Sequence, residues 1–151
     1  ERPAVALVAR YFSAFARADH ALMLTLVADN LVHEPASGPA RIGKVAFAHF
    51  LQHLHDCYFE SAEDLRIAVS GDDAATAEFV LKRLDLSTYA DRLVGMPVVI
   101  AYSARYRFET RGGLIAKIAM SQRLIDAIPP RRAARRRGWL AKLWGRRKRH
   151  N

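Results

Sequence analysis

Residues 97–122, PVVIAYSARYRFETRGGLIAKIAMSQ, carry the pattern that decides the fold. Apolar and polar side chains alternate on both sides of TRGG, which is typical of two antiparallel strands joined by a tight turn. The side chains that share one face of the first strand are Val98, Ile100, Tyr102, Ala104, Tyr106 and Phe108. Those on the other face are Val99, Ala101, Ser103, Arg105, Arg107 and Glu109. We expect the first face to pack against helices.

The chain before this hairpin supplies the helices and two more strands. Apolar residues at three- and four-residue spacings predict three helices, and alternation around a Gly-Asp-Asp turn predicts a second hairpin. In chain order the predicted elements are helices over 3–18 and 19–29, a short strand over 30–34, a helix over 44–59, and strands over 63–70 and 75–86. Helices followed by four antiparallel strands indicate an α+β fold rather than repeated βαβ units.

Composition divides the chain into a domain, residues 1–128, and an extension, residues 129–151. Fourteen basic and fifteen acidic side chains lie in residues 1–130, whereas the rest holds ten basic side chains and no acid, within a formal net charge of +9. The single cysteine, Cys57, excludes an internal disulfide and is typical of a reducing compartment. No run of eighteen apolar residues predicts a membrane span. We expect a cytoplasmic protein, with peripheral attachment to a membrane as an open alternative.

The extension predicts a basic amphipathic helix. Trp139, Leu140, Leu143 and Trp144 share one side of it. The basic residues that would contact a polyanion include Arg135, Arg136, Arg137, Lys142, Arg146 and Arg147. Tryptophans beside arginines favour an anionic membrane surface over nucleic acid, which the charge alone also permits. A solubilising terminus, or one that docks on a partner, remains a third interpretation.

Four stretches resemble one family: VARYFSAFARAD (8–19), LVADNLVHEP (26–35), IGKVAFAHFL (42–51) and YRFETRGGLIAKI (106–118). They look like the NTF2-like superfamily, and within it the ketosteroid isomerase and SnoaL-like polyketide cyclase branch, over roughly residues 4–125. The resemblance implies a cone-shaped, cystatin-like fold, in which three N-terminal helices pack on a curved antiparallel sheet. It also implies an apolar pocket for a small hydrophobic molecule, no cofactor, and a homodimer.

The resemblance implies catalytic roles for Glu34 and Tyr11. Glu34, followed by Pro35, matches the general base, and a carboxylate at the mouth of an apolar pocket is a stronger base because burial raises its pKa. Tyr11 matches the tyrosine that hydrogen-bonds the enolate oxygen. The second donor of that site is replaced here by Ala104, which puts steroid isomerisation in doubt. The residues expected around the substrate are Phe15, Leu54, Tyr58, Tyr102, Ala104 and Tyr106, and either of the last two tyrosines could replace the missing donor.

Each of these residues also has a purely structural interpretation. Glu34 could pair with Arg41 at the end of its strand, and Tyr11 could be a packed helix tyrosine. Alternation places His33 on the face opposite Glu34, so we expect it at the surface or between subunits. Because His33–Glu34 resembles the His–Asp pair of SnoaL-like proteins, the resemblance also implies His33 as a further catalytic candidate. The whole domain could then be a non-catalytic ligand-binding or dimerisation module that its extension attaches to a membrane.

The third predicted helix contains metal-ligand spacing. His49, His53 and Cys57 recur every four residues, which would place them on one face of the helix. That face lies opposite the apolar stripe, so we expect the histidines to point to solvent. Because no acidic fourth ligand accompanies them, the sequence favours a protein without a metal site.

Overall fold

The computed structural model describes residues 2–86 and 99–128. Its helices are α1 (Pro3–Ala16), α2 (His20–Thr25) and α3 (Lys44–Cys57). The α1 helix begins with Pro3, whose missing N–H costs nothing in a first turn. The Asp19 carboxylate accepts a hydrogen bond of 3.0 Å from the Leu22 N–H and so caps α2. These three helices confirm the helical part of the predicted fold.

The strands form one six-stranded sheet. Their bounds are β1 (Val27–Glu34), β2 (Arg41–Ile42), β3 (Tyr58–Gly71), β4 (Ala74–Asp85), β5 (Val99–Arg111) and β6 (Leu114–Ile128). Their order across the sheet is β2-β1-β6-β5-β4-β3, so that β2 and β3 lie at opposite edges. All neighbours are antiparallel except β1 and β6, which run parallel. The four long strands confirm the predicted antiparallel sheet, with one parallel pair added to it.

The turn between β5 and β6 is the one that TRGG predicts. Gly112 and Gly113 have φ angles of 59° and 78°, a left-handed conformation that two-residue hairpin turns require and that glycine adopts without strain. The turn fixes the register in which Arg111 opposes Leu114. Further along, the pairing of β5 with β6 shifts between Glu109 and Thr110, and again between Ala101 and Tyr102.

The core lies between α1 and the inner face of the curved sheet. Phe12 of α1 packs edge-on against Phe79 of β4 and Phe108 of β5, with ring centroids 5.1 and 5.9 Å apart. Tyr11 meets Phe108 in the same way at 5.3 Å. Edge-to-face aromatic contacts of this kind add about 1 kcal/mol each beyond the apolar area that they bury. The predicted inward face of β5 is confirmed from Tyr102 to Phe108. At the start of the strand the prediction is wrong, because Val99 and Ala101, expected on the other face, are buried and Ile100 is only partly so.

The third helix ends earlier than its apolar stripe predicts. Tyr58 is the C-cap of α3 and already has the extended angles φ −139° and ψ 153°, so β3 starts at Tyr58 itself without an intervening turn. The helical pattern had assigned Tyr58 and Phe59 to the helix. The longer strand brings Glu60 onto the sheet, with consequences for the site.

The basic extension, residues 129–151, lies outside the described residues, and so does the segment 87–98 that includes Val98. Among the helices that the structure describes, none has both the length and the apolar character needed to cross a membrane.

Candidate functional site

A cavity of about 250 Å³ opens between α1, α3 and the inner face of the sheet. Most of its wall is apolar or aromatic. The apolar side chains that line it include Phe12, Phe15, Phe50, Leu51, Leu54 and Met120. A concave apolar site with a few convergent polar groups is the usual form of a small-molecule site. The polar groups in its wall therefore decide what it can do.

Glu60 and Arg83 form an ion pair in the wall of this cavity. The two residues are direct partners across β3 and β4. Arg83 Nε and Nη2 both donate to Glu60 Oε2, at 2.9 and 2.7 Å. Because both bonds end on Oε2, the other oxygen, Oε1, makes no hydrogen bond to a described residue. The carboxylate is held in place with one oxygen available to a ligand.

The ionisation of Glu60 reflects two opposing effects. Its side chain is 9% exposed. Burial raises the pKa of the Glu60 carboxyl, and the charge and hydrogen bonds of Arg83 lower it, with a net rise above the usual range. A carboxylate whose pKa is raised accepts a proton more readily near neutral pH. Arg83 therefore keeps Glu60 charged without removing its basicity.

Arg83 is itself held by two aromatic rings. Its guanidinium carbon lies 4.6 Å from the ring centroid of Tyr58 and 5.6 Å from that of Tyr102. Burial lowers the pKa of Arg83, but Glu60, and after it Tyr102 and Tyr106, raise that pKa overall. Rings on a guanidinium face restrict its orientation, so the donor fork stays directed at Glu60.

Tyr11 and Tyr106 add two phenol hydroxyls to the cavity wall. Burial is the main cause that raises the pKa of both phenols. A smaller rise comes from Tyr106 in the case of Tyr11, and from Glu60 in the case of Tyr106. Both hydroxyls are therefore protonated at neutral pH and can donate. Neither hydroxyl forms a hydrogen bond with any residue in the two described ranges. Beside Ser37 and Gln122, the described wall of the cavity thus presents a carboxylate and two phenols to a ligand.

His33 is buried behind the cavity wall, so its predicted surface position is wrong. The residue is fully buried, with its ring 4.4 Å from Phe50 and 5.0 Å from Phe47. Its Nε2 lies 3.3 Å from Met120 Sδ, and its Nδ1 has no hydrogen-bond partner in the described part of the chain. Burial, and then the charge of Arg41, lowers the pKa of His33 from 6.5 to about 4. His33 is a neutral group in a layer behind Phe50 and Met120.

Glu34 lies on the opposite face of the sheet, and its predicted place in the apolar cavity is wrong. Its Oε1 is 3.3 Å from Lys117 Nζ on the neighbouring strand, and its side chain is 47% exposed. The alternative prediction, an ion pair between Glu34 and Arg41, is also wrong, because the partner of Glu34 is Lys117. Successive side chains of a strand point to opposite faces, so burying His33 sends Glu34 outward. There it borders a separate polar groove together with Arg107, Glu109 and Lys117.

The other predicted residues divide between the cavity and its surroundings. Phe15, Leu54, Tyr58 and Tyr106 line the cavity, and so does the predicted donor Tyr11. The two that do not reach it are Tyr102, which contacts Arg83, and Ala104, which is buried in the core. Their contact with a ligand stays a prediction that this cavity does not support.

The histidines of α3 do not form a metal site in the described residues. His53 is exposed and also lines the mouth of the cavity, with Cys57 Sγ 3.7 Å from its Nδ1. No group of three or more His, Cys, Asp or Glu that could hold a metal ion exists within residues 2–86 and 99–128.

Sequence reasoning missed Glu60 and Arg83. The sequence does contain a signal for Glu60. Tyr58, Glu60 and Ala62 alternate along the chain, and a strand that begins at Tyr58 places all three side chains on the inner face of the sheet. Arg83 follows from it, because an unpaired buried carboxylate is costly and requires a cation from the neighbouring strand.

Comparison with known proteins identifies the family. Residues 8–118 match the model of the SnoaL-like domain. The chain belongs to this family. No curated protein sequence matches this SnoaL-like domain. The NTF2-like cone fold agrees with the helices and curved sheet described above.

Solved structures resemble this SnoaL-like domain over most of its length. A proposed polyketide cyclase from Xanthomonas campestris is 30% identical, with 79% of this chain and 89% of that chain covered and a TM-score of 0.68. A second proposed polyketide cyclase, from Silicibacter, is also 30% identical, with 78% and 86% covered and a TM-score of 0.68. An epoxide hydrolase from M. tuberculosis shares the fold at 16% identity, with 79% and 77% covered and a TM-score of 0.64. The fold is one that binds ligands and that enzymes use.

Proposed function

We propose that this SnoaL-like domain is an enzyme that moves a proton on a compact hydrophobic carbonyl compound, with Glu60 as the base. The observation that supports it is Glu60 Oε1, which accepts no hydrogen bond from the described residues and belongs to the wall of an apolar cavity that Tyr11 and Tyr106 also line. A base and donors for the developing oxyanion are the groups that enolisation needs, so the reaction requires no cofactor. Isomerase, cyclase and dehydratase reactions all begin in this way.

The proposed reaction starts with the removal of a proton next to the carbonyl. Glu60 Oε1 takes the proton, the electron pair of the C–H bond forms the enolate double bond, and the carbonyl oxygen becomes negative. Tyr11 and Tyr106 donate hydrogen bonds to that oxygen. In an isomerisation, Glu60 then returns the proton to another carbon. In a cyclisation, the enolate carbon instead attacks a second carbonyl carbon and closes a ring, and Glu60 gives its proton to the alkoxide oxygen that this attack forms.

The size of the cavity favours a small substrate. Its volume of about 250 Å³ lies just below the range of about 300–1,000 Å³ that is typical of pockets for drug-sized ligands. One or two rings fit better than the four rings of a steroid. The proposed substrate class is therefore a mono- or bicyclic carbonyl compound.

Deuterium exchange into 2-tetralone, a bicyclic ketone, tests the assignment of the base. We expect the protein to accelerate exchange at the carbons beside the carbonyl in D₂O, followed by NMR. Glu60→Gln keeps the size of the side chain but cannot accept the proton, so the rate should fall by about a hundredfold or more. Glu34→Gln is the matched control on the other face of the sheet and should exchange at the normal rate. Full exchange by Glu60→Gln would reject the proposal.

A second candidate function is a non-catalytic binding module, which the tight ion pair of Glu60 favours. A carboxylate that accepts two hydrogen bonds from Arg83 is also a stable structural element. In this case the cavity would bind a small hydrophobic molecule, the domain would form a homodimer, and residues 129–151 would attach it to an anionic membrane. Binding of 2-tetralone without exchange, together with sedimentation on anionic vesicles, would support this candidate; binding to duplex DNA instead would favour nucleic acid as the partner of the extension.

A further inference from the structure

We propose that the substrate of this cavity carries a carboxylate, which binds to Arg41 at the cavity mouth. The inference rests on the proposed function, because it names the class of carbonyl compound that the same cavity takes. The ligand is then a compact apolar acid with an enolisable carbonyl group, rather than a neutral ketone or ester.

Arg41 is held at the mouth by an aromatic ring. It lines the cavity, and its guanidinium carbon lies 5.5 Å from the ring centroid of Phe50. Contact with a ring face restricts the guanidinium plane and leaves its N–H donors free at the edge. An oriented guanidinium fork matches the two oxygens of a carboxylate. Ser37 lines the same mouth and offers a hydroxyl.

The charges in the cavity wall do not balance. Of the residues that the structure describes, three with charged side chains line it: Glu60, Arg83 and Arg41. The first two neutralise each other in their ion pair. No carboxylate within the described ranges lies at ion-pair distance from Arg41. The described part of the wall therefore carries one positive charge, which a ligand with one negative charge would balance.

The charge of Arg41 reaches into the protein and is not confined to solvent. It contributes to the lowered pKa of His33, which is buried behind Phe50. A group that affects a buried imidazole in this way will also act on an anion at the cavity mouth.

The sheet order gives the ligand a direction. Arg41 belongs to β2 and Glu60 to β3, the strands at opposite edges of the sheet. Glu60 repels a carboxylate, whereas Arg41 attracts it, so the acid group should bind at Arg41 and leave the carbonyl end to Glu60 and the two tyrosines. Arg41 is then a specificity-determining residue that takes no part in the proton transfer.

Two isosteric probes, 2-naphthoate and 2-naphthamide, test the inference by calorimetry on the full chain at pH 7.5. We expect the wild-type protein to bind the anionic naphthoate about fivefold more tightly than the neutral amide, a range typical of a partly exposed charged contact. In Arg41→Gln this preference should disappear while amide binding stays the same. Arg66→Gln removes an exposed charge of the same sign on the outer face and should leave both affinities unchanged.

The possible outcomes separate this inference from the proposed function. If both probes bind equally to the wild-type protein, or if Arg41→Gln keeps the preference, the carboxylate subsite is overturned while the cavity remains a ligand site. If neither probe binds, the cavity is not a ligand site for this class and the inference is overturned as well. The test of the proposed function is separate, because deuterium exchange into 2-tetralone uses a neutral ketone. Loss of that exchange in Glu60→Gln would therefore support the base whether or not Arg41 binds a carboxylate.

Discussion

Glu34 and Glu60 are carboxylates on the two faces of one sheet, and their surroundings differ. Glu34 is half exposed on the outer face, where Lys117 lies 3.3 Å away in a polar groove. Glu60 is almost fully buried on the inner face, where Arg83 holds one oxygen and aromatic rings surround the pair. The comparison teaches that the face on which a carboxylate lies, rather than the proline that follows it, decides its chemistry. Four predictions test this contrast, in order of decreasing effect.

Removal of the cation beside each carboxylate should separate the two faces most strongly. Arg83→Met leaves Glu60 buried without a partner, so the free energy of unfolding at pH 7 should fall by about 4 kcal/mol. Lys117→Met removes the exposed partner of Glu34 and should cost less than about 1 kcal/mol. Urea denaturation measures both. Equal losses would show that the two carboxylates do not differ in burial.

His33, on the inner face beside Glu34, should make stability depend on pH. Its pKa is about 4 in the folded protein and 6.5 in the unfolded chain. The unfolded chain therefore binds a proton first as pH falls, and stability is lost between about pH 6.5 and 4, by about 3 kcal/mol at most. His33→Leu should lack this part of the pH dependence, which thermal unfolding at several pH values measures. Parallel pH profiles for the two proteins would place His33 in solvent.

The two tyrosines of the inner face should share the stabilisation of the oxyanion. Because one donor remains in each single variant, Tyr11→Phe or Tyr106→Phe should slow the deuterium exchange of 2-tetralone by about tenfold. This is a smaller decrease in rate than removal of an enzyme's single oxyanion donor causes. Tyr102→Phe, which keeps the ring beside Arg83 but does not line the cavity, is the control and should exchange normally. A normal rate in both test variants would remove the tyrosines from the mechanism.

Arg41→Gln should have the smallest effect, a shift in the titration of His33. The charge of Arg41 contributes to the lowered pKa of His33, so its removal should raise that pKa. NMR of the imidazole signals follows the titration. Arg66→Gln, on the outer face, should leave the pKa of His33 where it is. An unchanged pKa in both variants would mean that the charge of Arg41 does not reach the cavity wall.

The fold could be predicted because its signals are local. The Gly112–Gly113 turn acts within a few residues and is found where the sequence places it, and the Asp19 cap at the start of α2 is a signal of the same local kind. Tyr11 and Phe15, which the resemblance to the family placed around the substrate, do line the cavity.

Two features could not be predicted from local signals: which side chains of β1 face the core, and the residue at which β3 begins. A strand face depends on a register of one residue, and the pairing of β1 with β6 shifts between Val27 and Val32. Leu31 and His33 lie two residues apart, so their side chains share one face of β1, and both are buried. The prediction followed the resemblance at Glu34–Pro35 instead and placed Glu34 on the inner face. Glu60 was missed because no turn residue marks the direct passage from α3 into β3.

A crystal structure with 2-naphthol, a stable analogue of the enol of 2-tetralone, tests the central claim most directly. If Glu60 is the base, the naphthol oxygen should lie about 3 Å from the Tyr11 and Tyr106 hydroxyls, with the ring edge facing Glu60 Oε1. Naphthol bound in the outer groove beside Glu34 and Lys117, with the inner cavity empty, would contradict the account.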